Sequence, residues 1–472
     1  MAAMVIHVPE QLKDFGVAVL AMIEAAQSSL AGTAGGKAVD YDAVECAIAD
    51  AAARCECAAH GAVLRALDID KPAIEIGGKL HRRVGRCEAP YYTMAGPVVV
   101  TRSLYRERGV RNGRVVDPVS VRAGVVADGW LPRTARAMAH ALQQSTSRDA
   151  EASARESKRL PYSRSSFERV AHAVGEAYLP HHVDIEGGLI EEFVVPKNAR
   201  SVSASLDRVN VPMEEPRPRP VGRPKKNAPK RPIARNFRQA YCGTVTLHDA
   251  DGEALHTIRY GRMPQGNVAE LVEGMAADVG MLIAQRGDLL VDLLCDGAPE
   301  MWNLLRAQFT AENFGEVHEL IDLRHTTEKL RAAAEVIHGE GYQPVVQRWK
   351  LRLLNTSRAA DGILAELHAS GLEHVTVGKT MPVHEAITYL TNQGDRMDYA
   401  SARRLGLPLG SGNVEATCKS LFEVRFKRAG SRWKEVTGEH IVHLRALAIS
   451  DRWPRAMELT MQRLRHAVKA VA

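Results

Sequence analysis

Three acidic residues carry the chemistry that this chain offers: Asp207, Asp296 and Glu415. Asp207 closes the run Val202-Ser203-Ala204-Ser205-Leu206, whose period of two is that of a β-strand, so it is expected at the strand's end. Asp296 ends a continuous apolar run, residues 288–295 (DLLVDLLC), of the kind that forms a strand buried on both faces. Gly297 after it lets a ligand approach the backbone closely. Glu415 lies in LGSGNVEATCK, residues 409–419, where Ser411 is placed to cap the helix that carries it. A few carboxylates delivered to one point by rigid elements suit hard divalent cations, Mg²⁺ or Mn²⁺, with water in the remaining positions. Two such ions about 3.5–4 Å apart support phosphodiester hydrolysis and transesterification, one at the nucleophile and one at the leaving oxygen. Singly, each acid has an ordinary reading, since an aspartate at a strand end commonly forms a turn. Asp292, in mid-strand, is a decoy that could pair with a basic residue. Asp322, ahead of His325 and Glu328, either binds metal or caps a helix. The three together are more specific than any one.

The elements that must position these acids read as an α/β domain from about residue 195. Residues 240–248 (AYCGTVTLH) form a second strand, Asp249 to Gly252 a turn and 254–260 a third strand, so the two strands pair as a hairpin. A helix over about 267–286 carries Val268, Leu271, Val272, Met275, Val279, Leu282 and Ile283 as one apolar stripe. The run ending at Asp296 then belongs inside the sheet, followed by helix over 299–314, a strand over 317–323 and a helix over 326–337. Hairpin, helix and buried strand follow one another as in an RNase H-like domain. Residues 338–400 have mixed helical spacing and read as a helical insertion.

Ahead of that domain, residues 10–65 are Ala-rich helices broken at Gly35-Gly36. Residues 74–117 include Val98-Val99-Val100 and the basic stretch RERGVRNGR, and are expected to form a small strand pair with a basic tip. Helical segments follow at 134–142, 147–159 and 166–178, the last opened by a capping box at Ser165-Ser166-Phe167-Glu168. With Arg148, Arg155, Arg164 and Arg169 exposed, they suit either a helix-turn-helix reader of DNA or a helical bundle with a solvated basic face. The expected division is residues 1–90, a helical region; 91–195, a β element with the DNA-binding helices; 196–450, the catalytic domain; and 451–472, a C-terminal helix.

At 472 residues with 45% hydrophobic content, the chain is large enough for two or three buried cores. Its net charge of +6 is modest for a nucleic-acid binder, so the placement of charge matters more than the total. Seven cysteines without a CxxC pair fit a reducing compartment, and Cys55, Cys57, His60, His81 and Cys87 match no common zinc spacing. No membrane-spanning run and no signal peptide are read, so the expected location is the cytoplasm, associated with the nucleoid.

Basic charge concentrates in residues 216–235, PRPRPVGRPKKNAPKRPIAR, with eight basic residues, six prolines and no acid. The prolines exclude helix and inner strand, leaving an extended solvated loop between the first two strands. Arg223, Lys225, Lys226, Lys230 and Arg231 in it are expected to track DNA phosphates, with a plain linker as the alternative.

SLDRVNVPMEE around Asp207, LLCDGAPEMW around Asp296 and GSGNVEATCKSLFEVRFKRAGSRW from Gly410 to Trp433 together resemble the bacterial insertion-sequence transposases of the DDE class, ISKra-type family. LIDLRHTTEKL is similar to that family's segment after the second aspartate. GPVVVTRSLYRERG and YSRSSFERVAHAVG match more loosely. The resemblance spans most of residues 90–450 and implies an RNase H-like fold. It also implies Mg²⁺ or Mn²⁺ held by Asp207, Asp296 and Glu415, which become the catalytic triad, and strand cleavage and transfer at transposon ends. It further implies a homo-oligomer on double-stranded DNA. Lys419, Arg425, Lys427 and Arg428 then lie beside the site to contact phosphates, with a solvated helix face as the alternative. Trp433 either stacks on a base or packs as a buried aromatic. Arg208 stands where many relatives have a small residue, and RERGVRNGR replaces the cysteine-rich knuckle of some relatives, so zinc is not expected. Two other functions remain compatible: a nuclease of the same fold that cuts without joining, and a DNA-binding protein whose metal site is vestigial.

Overall fold

Two Ala-rich helices, α1 (Lys13–Gly32) and α2 (Tyr41–Leu67), precede the first sheet of the computed structural model. It describes residues 7–32, 36, 38–214 and 235–471. The chain forms two compact units, Met1–His182 with Pro454–Ala472, and Val183–Trp453. Glu10–Gly32 meets the length and composition of a membrane-crossing helix, and its most apolar stretch is not buried. The sequence reading expected no such stretch; the mixture of Ala and small residues with Val17, Leu20, Ile23 and Leu30 hides it from inspection.

In the first unit, β1 (Ala73–Ile76), β2 (Lys79–Tyr92), β3 (Pro97–Glu107) and β4 (Val115–Val116) form an antiparallel meander. A C-terminal strand, Val468–Val471, pairs with β1 and makes five strands. The expected small strand pair is therefore a larger sheet, and the boundary expected after residue 90 falls inside β2. The C-terminal region is likewise more than a helix. Val98, Val100, Tyr91 and Leu64 bury one face against α2, while Val99 stays exposed, as alternation requires. Helices α3 (Pro118–Ala123), α4 (Pro132–Gln144), α5 (Ser147–Glu156) and α6 (Arg164–Tyr178) follow. Helix α6 starts after Ser163 with no side-chain cap, and the capping box forms instead on α5, between Thr146 and Asp149. Arg148, Arg155, Arg164 and Arg169 are exposed.

The second unit begins with α7 (His182–Glu192) and is built on β5 (Ser201–Glu214), β6 (Arg235–His248), β7 (Ala254–Arg262), β8 (Leu290–Cys295) and β9 (Val317–Ile321). Their order is β7-β6-β5-β8-β9. β6 runs antiparallel to β5 and β7, whereas β5, β8 and β9 are parallel. The hairpin and the inner position of β8 agree with the alternation and the continuous apolar run read from the sequence. Helices α8 (Val268–Gln285), α9 (Pro299–Gln308), α10 (Ala311–Phe314) and α11 (Leu323–His338) connect and cover the strands. Residues 342–405 supply α12 (Tyr342–Asn355), α13 (Ala359–Ala369), α14 (Pro382–Gln393) and α15 (Tyr399–Leu405). Helix α16 (Gly412–Thr417) leads into a π-helical turn (Cys418–Glu423), α17 (Val424–Phe426) and α18 (Glu435–Ile449). The last helix, α19 (Trp453–Arg463), starts where the chain returns to the first unit.

The register gives the sheet two unlike faces. Val202, Ala204, Leu206, Val245, Leu247, Val291 and Leu293 share one, which α8 covers. Gly243 on that face permits the contact, since a Cβ there would lie 2.5 Å from Met275 Sδ. Ser203, Ser205, Asp207, Thr244, Thr246 and Asp292 share the other face. There a Cβ on Gly261 would meet Val442 and Leu421, so α18 and the π-helical turn close over it. Asp292 on this polar face is fully buried, and neither carboxyl oxygen has a hydrogen-bond partner among the described residues. The basic partner considered for it is not there; burial instead holds its carboxyl well above the usual range.

Candidate active site

The crevice opens where β5 and β8 part. Their ladder covers only Ser201–Ala204 against Leu290–Leu293. Beyond it the Cys295 thiol takes over, 3.3 Å from both the N–H and the carbonyl oxygen of Leu206. Asp207, where β5 parts from β8, and Asp296, just after the end of β8, flank the crevice, the kind of opening where α/β sheets bind ligands. Asp207 is not at a strand end, as expected, but in mid-strand, because β5 continues along β6 to Glu214. The parting of β8, not the end of β5, exposes it.

Burial raises the Asp207 carboxyl above its usual range, and the charges of Asp296 and Glu415 push the same way. The Arg208 N–H at 2.7 Å and the Cys418 thiol at 3.4 Å oppose this. Asp296 Oδ1 accepts from the Ala298 N–H at 2.9 Å, and its carbonyl accepts from Trp302 Nε1 at 2.8 Å. Gly297 has a different use from the one expected: a Cβ there would lie 2.6 Å from the Tyr389 ring, so α14 takes up that space. Arg208, one residue on from Asp207, pairs with Glu300 at the start of α9.

Glu415 on α16 is held by the start of α11. Arg324 Nη1 lies 3.0 Å from its Oε2, and His325 Nε2 lies 3.2 Å from its Oε1. Sequence reasoning passed over Arg324 and named His325 only as a neighbour of Asp322, although both follow the end of β9 as Asp296 follows β8. That placement was the signal available. Asp322 proves to be the helix cap of the two readings, accepting from the His325 N–H at 2.9 Å. It also takes the Ser411 hydroxyl at 2.7 Å and the Ser411 N–H. Ser411 was expected to cap α16, but its side chain is spent on Asp322.

The carboxylate set is one of hard oxygen donors whose mutual repulsion a divalent cation would relieve, and in that respect the residues fit Mg²⁺ or Mn²⁺. Among the described residues no three Asp, Glu, His or Cys side chains stand at ligating distance of one point. Glu415 must turn from Arg324 and His325 to share an ion with Asp207. In the first unit the Cys55 thiol meets Met22, and Cys57 meets Thr93.

Of the basic residues beside the site, Lys419, Lys427 and Arg428 are exposed, with Lys427 paired to Glu423 at 2.8 Å. Arg425 is buried, its guanidinium 4.7 Å over the Trp433 ring, so it cannot reach a DNA phosphate as expected. Trp433 is half-buried; it packs on Phe426 and donates to the Phe426 carbonyl at 3.2 Å. Arg223, Lys225, Lys226, Lys230 and Arg231 lie outside the described residues.

The fold and crevice define a mixed α/β unit in which Asp207 and Asp296 flank the place where two parallel strands part. Comparison with protein-family models, with curated proteins and with solved structures found no match.

Proposed function

We propose that the second unit is an RNase H-like catalytic domain and that the chain is a DDE transposase, cutting DNA at insertion-sequence ends and joining it to a target. The observation that carries the reading is the crevice where β5 and β8 part: burial raises the Asp207 carboxyl there, and the charges of Asp296, after β8, and Glu415, on α16, add to that. Such an arrangement costs stability unless something positive binds there. The strand order, with a reversed hairpin at one edge and the buried β8 inside, also supports it. So does the resemblance of the segments around the three acids to ISKra-type transposases.

When bound, Mg²⁺ or Mn²⁺ would supply Lewis acidity and a polarised water or hydroxyl group. Asp207, Asp296 and Glu415 would hold it. The residues of the chain do the positioning. The Ala298 N–H fixes Asp296, Cys418 and the Arg208 N–H orient Asp207, and Arg324 with His325 holds Glu415 until an ion draws it away. Lys419, Lys427 and the basic 216–235 segment are assigned to phosphates, and the DNA-bound form to a homo-oligomer.

Asp296→Asn is expected to abolish Mg²⁺-dependent strand cleavage while leaving DNA binding intact. Cleavage by that variant at a near-normal rate would overturn the role of Asp296. Joined products, scored beside nicked ones on paired transposon ends, separate a transposase from a nuclease of the same fold.

A further inference from the structure

Helices α1 and α2 run antiparallel as a hairpin: Asp14 pairs with Arg65 at 3.0 Å, and Cys55 meets Met22 at 3.9 Å. One side of α2 lies against the first sheet, where Leu64 joins Val98 in a buried cluster. Phe15, Ala18, Met22, Ala25 and Ser29 are half-buried, and their spacing of three and four residues makes them the seam of α1 with α2. Each is followed by a member of a second seam: Gly16, Val19, Ile23, Ala26 and Leu30. One residue on is about 100° round a helix, so this second seam faces sideways. Ile23, Ala26 and Leu30 in it are exposed.

Helix α2 matches it. Turning by the same step per residue from Cys55, the side chains of Tyr41, Ile48, Ala52 and Val63 fall on the flank to which the second seam of α1 points. All four are exposed. The Asp14–Arg65 pair and exposed Arg54 occupy the other flank. The hairpin thus has one apolar flank and one charged flank. We infer that the apolar flank docks on the same flank of a second copy of this chain, closing a four-helix bundle, so that the protein is a dimer before it meets DNA.

The geometry suits that occupant. In a four-helix bundle each helix faces two neighbours roughly at right angles, which is how the two seams of α1 are set. Spacing of three and four residues lets side chains of one helix enter the gaps of another. A two-fold axis brings identical flanks together, so one surface supplies both halves. With 20 residues, α1 is about 30 Å long, and two helices side by side are about 20 Å across. The flank therefore covers roughly 600 Å² on each copy, about 1,200 Å² for the pair, which is where stable interfaces begin. A helix that lies on a membrane surface carries Lys and Arg beside its apolar face. Among the described residues of α1 and α2 this flank has no Lys or Arg, and Glu45 on it is an acid.

The inference is independent of the proposed strand chemistry, and its test contains no DNA. Sedimentation equilibrium of the full-length protein at micromolar concentration is expected to give twice the chain mass of 51.6 kDa. Ile23→Glu and Val63→Glu, one on each helix, should each weaken dimerisation by about a hundredfold, since the two-fold axis buries the unpaired charge twice. Both side chains are exposed in the single chain, so circular dichroism of the variants should match the wild type. Val17→Glu changes an exposed apolar residue of α1 that lies off this flank, and should leave the dimer intact. A wild-type monomer, or a dimer that survives both flank variants, overturns the inference. So does a wild-type monomer that floats with phosphatidylcholine–phosphatidylglycerol vesicles and is released by Ile23→Glu, which would make lipid the occupant. None of these results touches the DNA reading, which is judged by strand cleavage.

Discussion

Cys418 Sγ lies 3.4 Å from Asp207 Oδ2, although 211 positions separate the two residues in the chain. The contact ties the π-helical turn after α16 to the middle of β5, and so brings the helix of Glu415 to the crevice that Asp207 and Asp296 flank. A hydrogen bond with Cys242, then burial, then the Asp207 charge push the Cys418 thiol far above its ordinary range.

Thiol reactivity should follow from this, since the thiolate is the reacting form. Cys418, Cys242 and Cys295 are buried, whereas Cys46 and Cys87 are partly open. Iodoacetamide at mildly alkaline pH is expected to label Cys46 and Cys87 in the folded protein and to spare Cys418 until denaturant is added. Peptide mapping that found Cys418 among the first residues labelled would contradict the contact with Asp207.

Asp292 makes stability depend on pH. Its folded-state pKa lies above the unfolded value, so the native state holds an extra proton between the two. The stability from this group is complete below the unfolded pKa and declines as pH rises toward the folded one. Relative to Asp292→Asn, the wild-type protein should lose up to about 1.4 kcal/mol per pH unit over that window. Urea unfolding at a series of pH values measures the difference; parallel curves for the two proteins would show that Asp292 does not carry a buried proton.

Arg324 competes with a cation for Glu415. Because its side chain is 64% exposed, solvent screens the pair and leaves it weak. Arg324→Gln should therefore tighten Mn²⁺ binding by up to about fivefold, measured by calorimetry on the full chain. Weaker binding in the variant would mean that Arg324 helps present the carboxylate instead.

Removal of residues 216–235 takes away eight basic residues. DNA affinity at physiological salt is expected to fall, and the slope of log affinity against log salt to flatten by about 0.9 for each phosphate that the protein no longer neutralises. An unchanged slope would leave the segment as a linker.

Local pattern made much of the second unit readable. Alternation at 202–206, the short turn at 249–252 and the continuous run before Asp296 each specify an element from a few neighbouring residues, and their pairing follows. What escaped depends on distant partners. The end of the crevice ladder is set by β8, so Asp207 looked like a strand terminus when its own strand runs on. Ser411 has the residue type of a cap, but Asp322 claims it from another helix. Arg425 has the type of a phosphate ligand, yet the Trp433 ring lies beneath it. In the first unit, Gly85 and Pro90 disguise β2, and VKAV at 468–471 shows no strand pattern until β1 is there to pair with it.

That last pairing has a consequence for biosynthesis. β1 leaves the ribosome early, but its outer neighbour is translated only after the entire second unit. Until then a nascent chain carries a bare strand edge, the kind of surface on which other chains aggregate. Chains stalled short of residue 468 should accordingly be held by chaperones, and a chain that has passed it should shed them as residues 468–471 zip onto that edge.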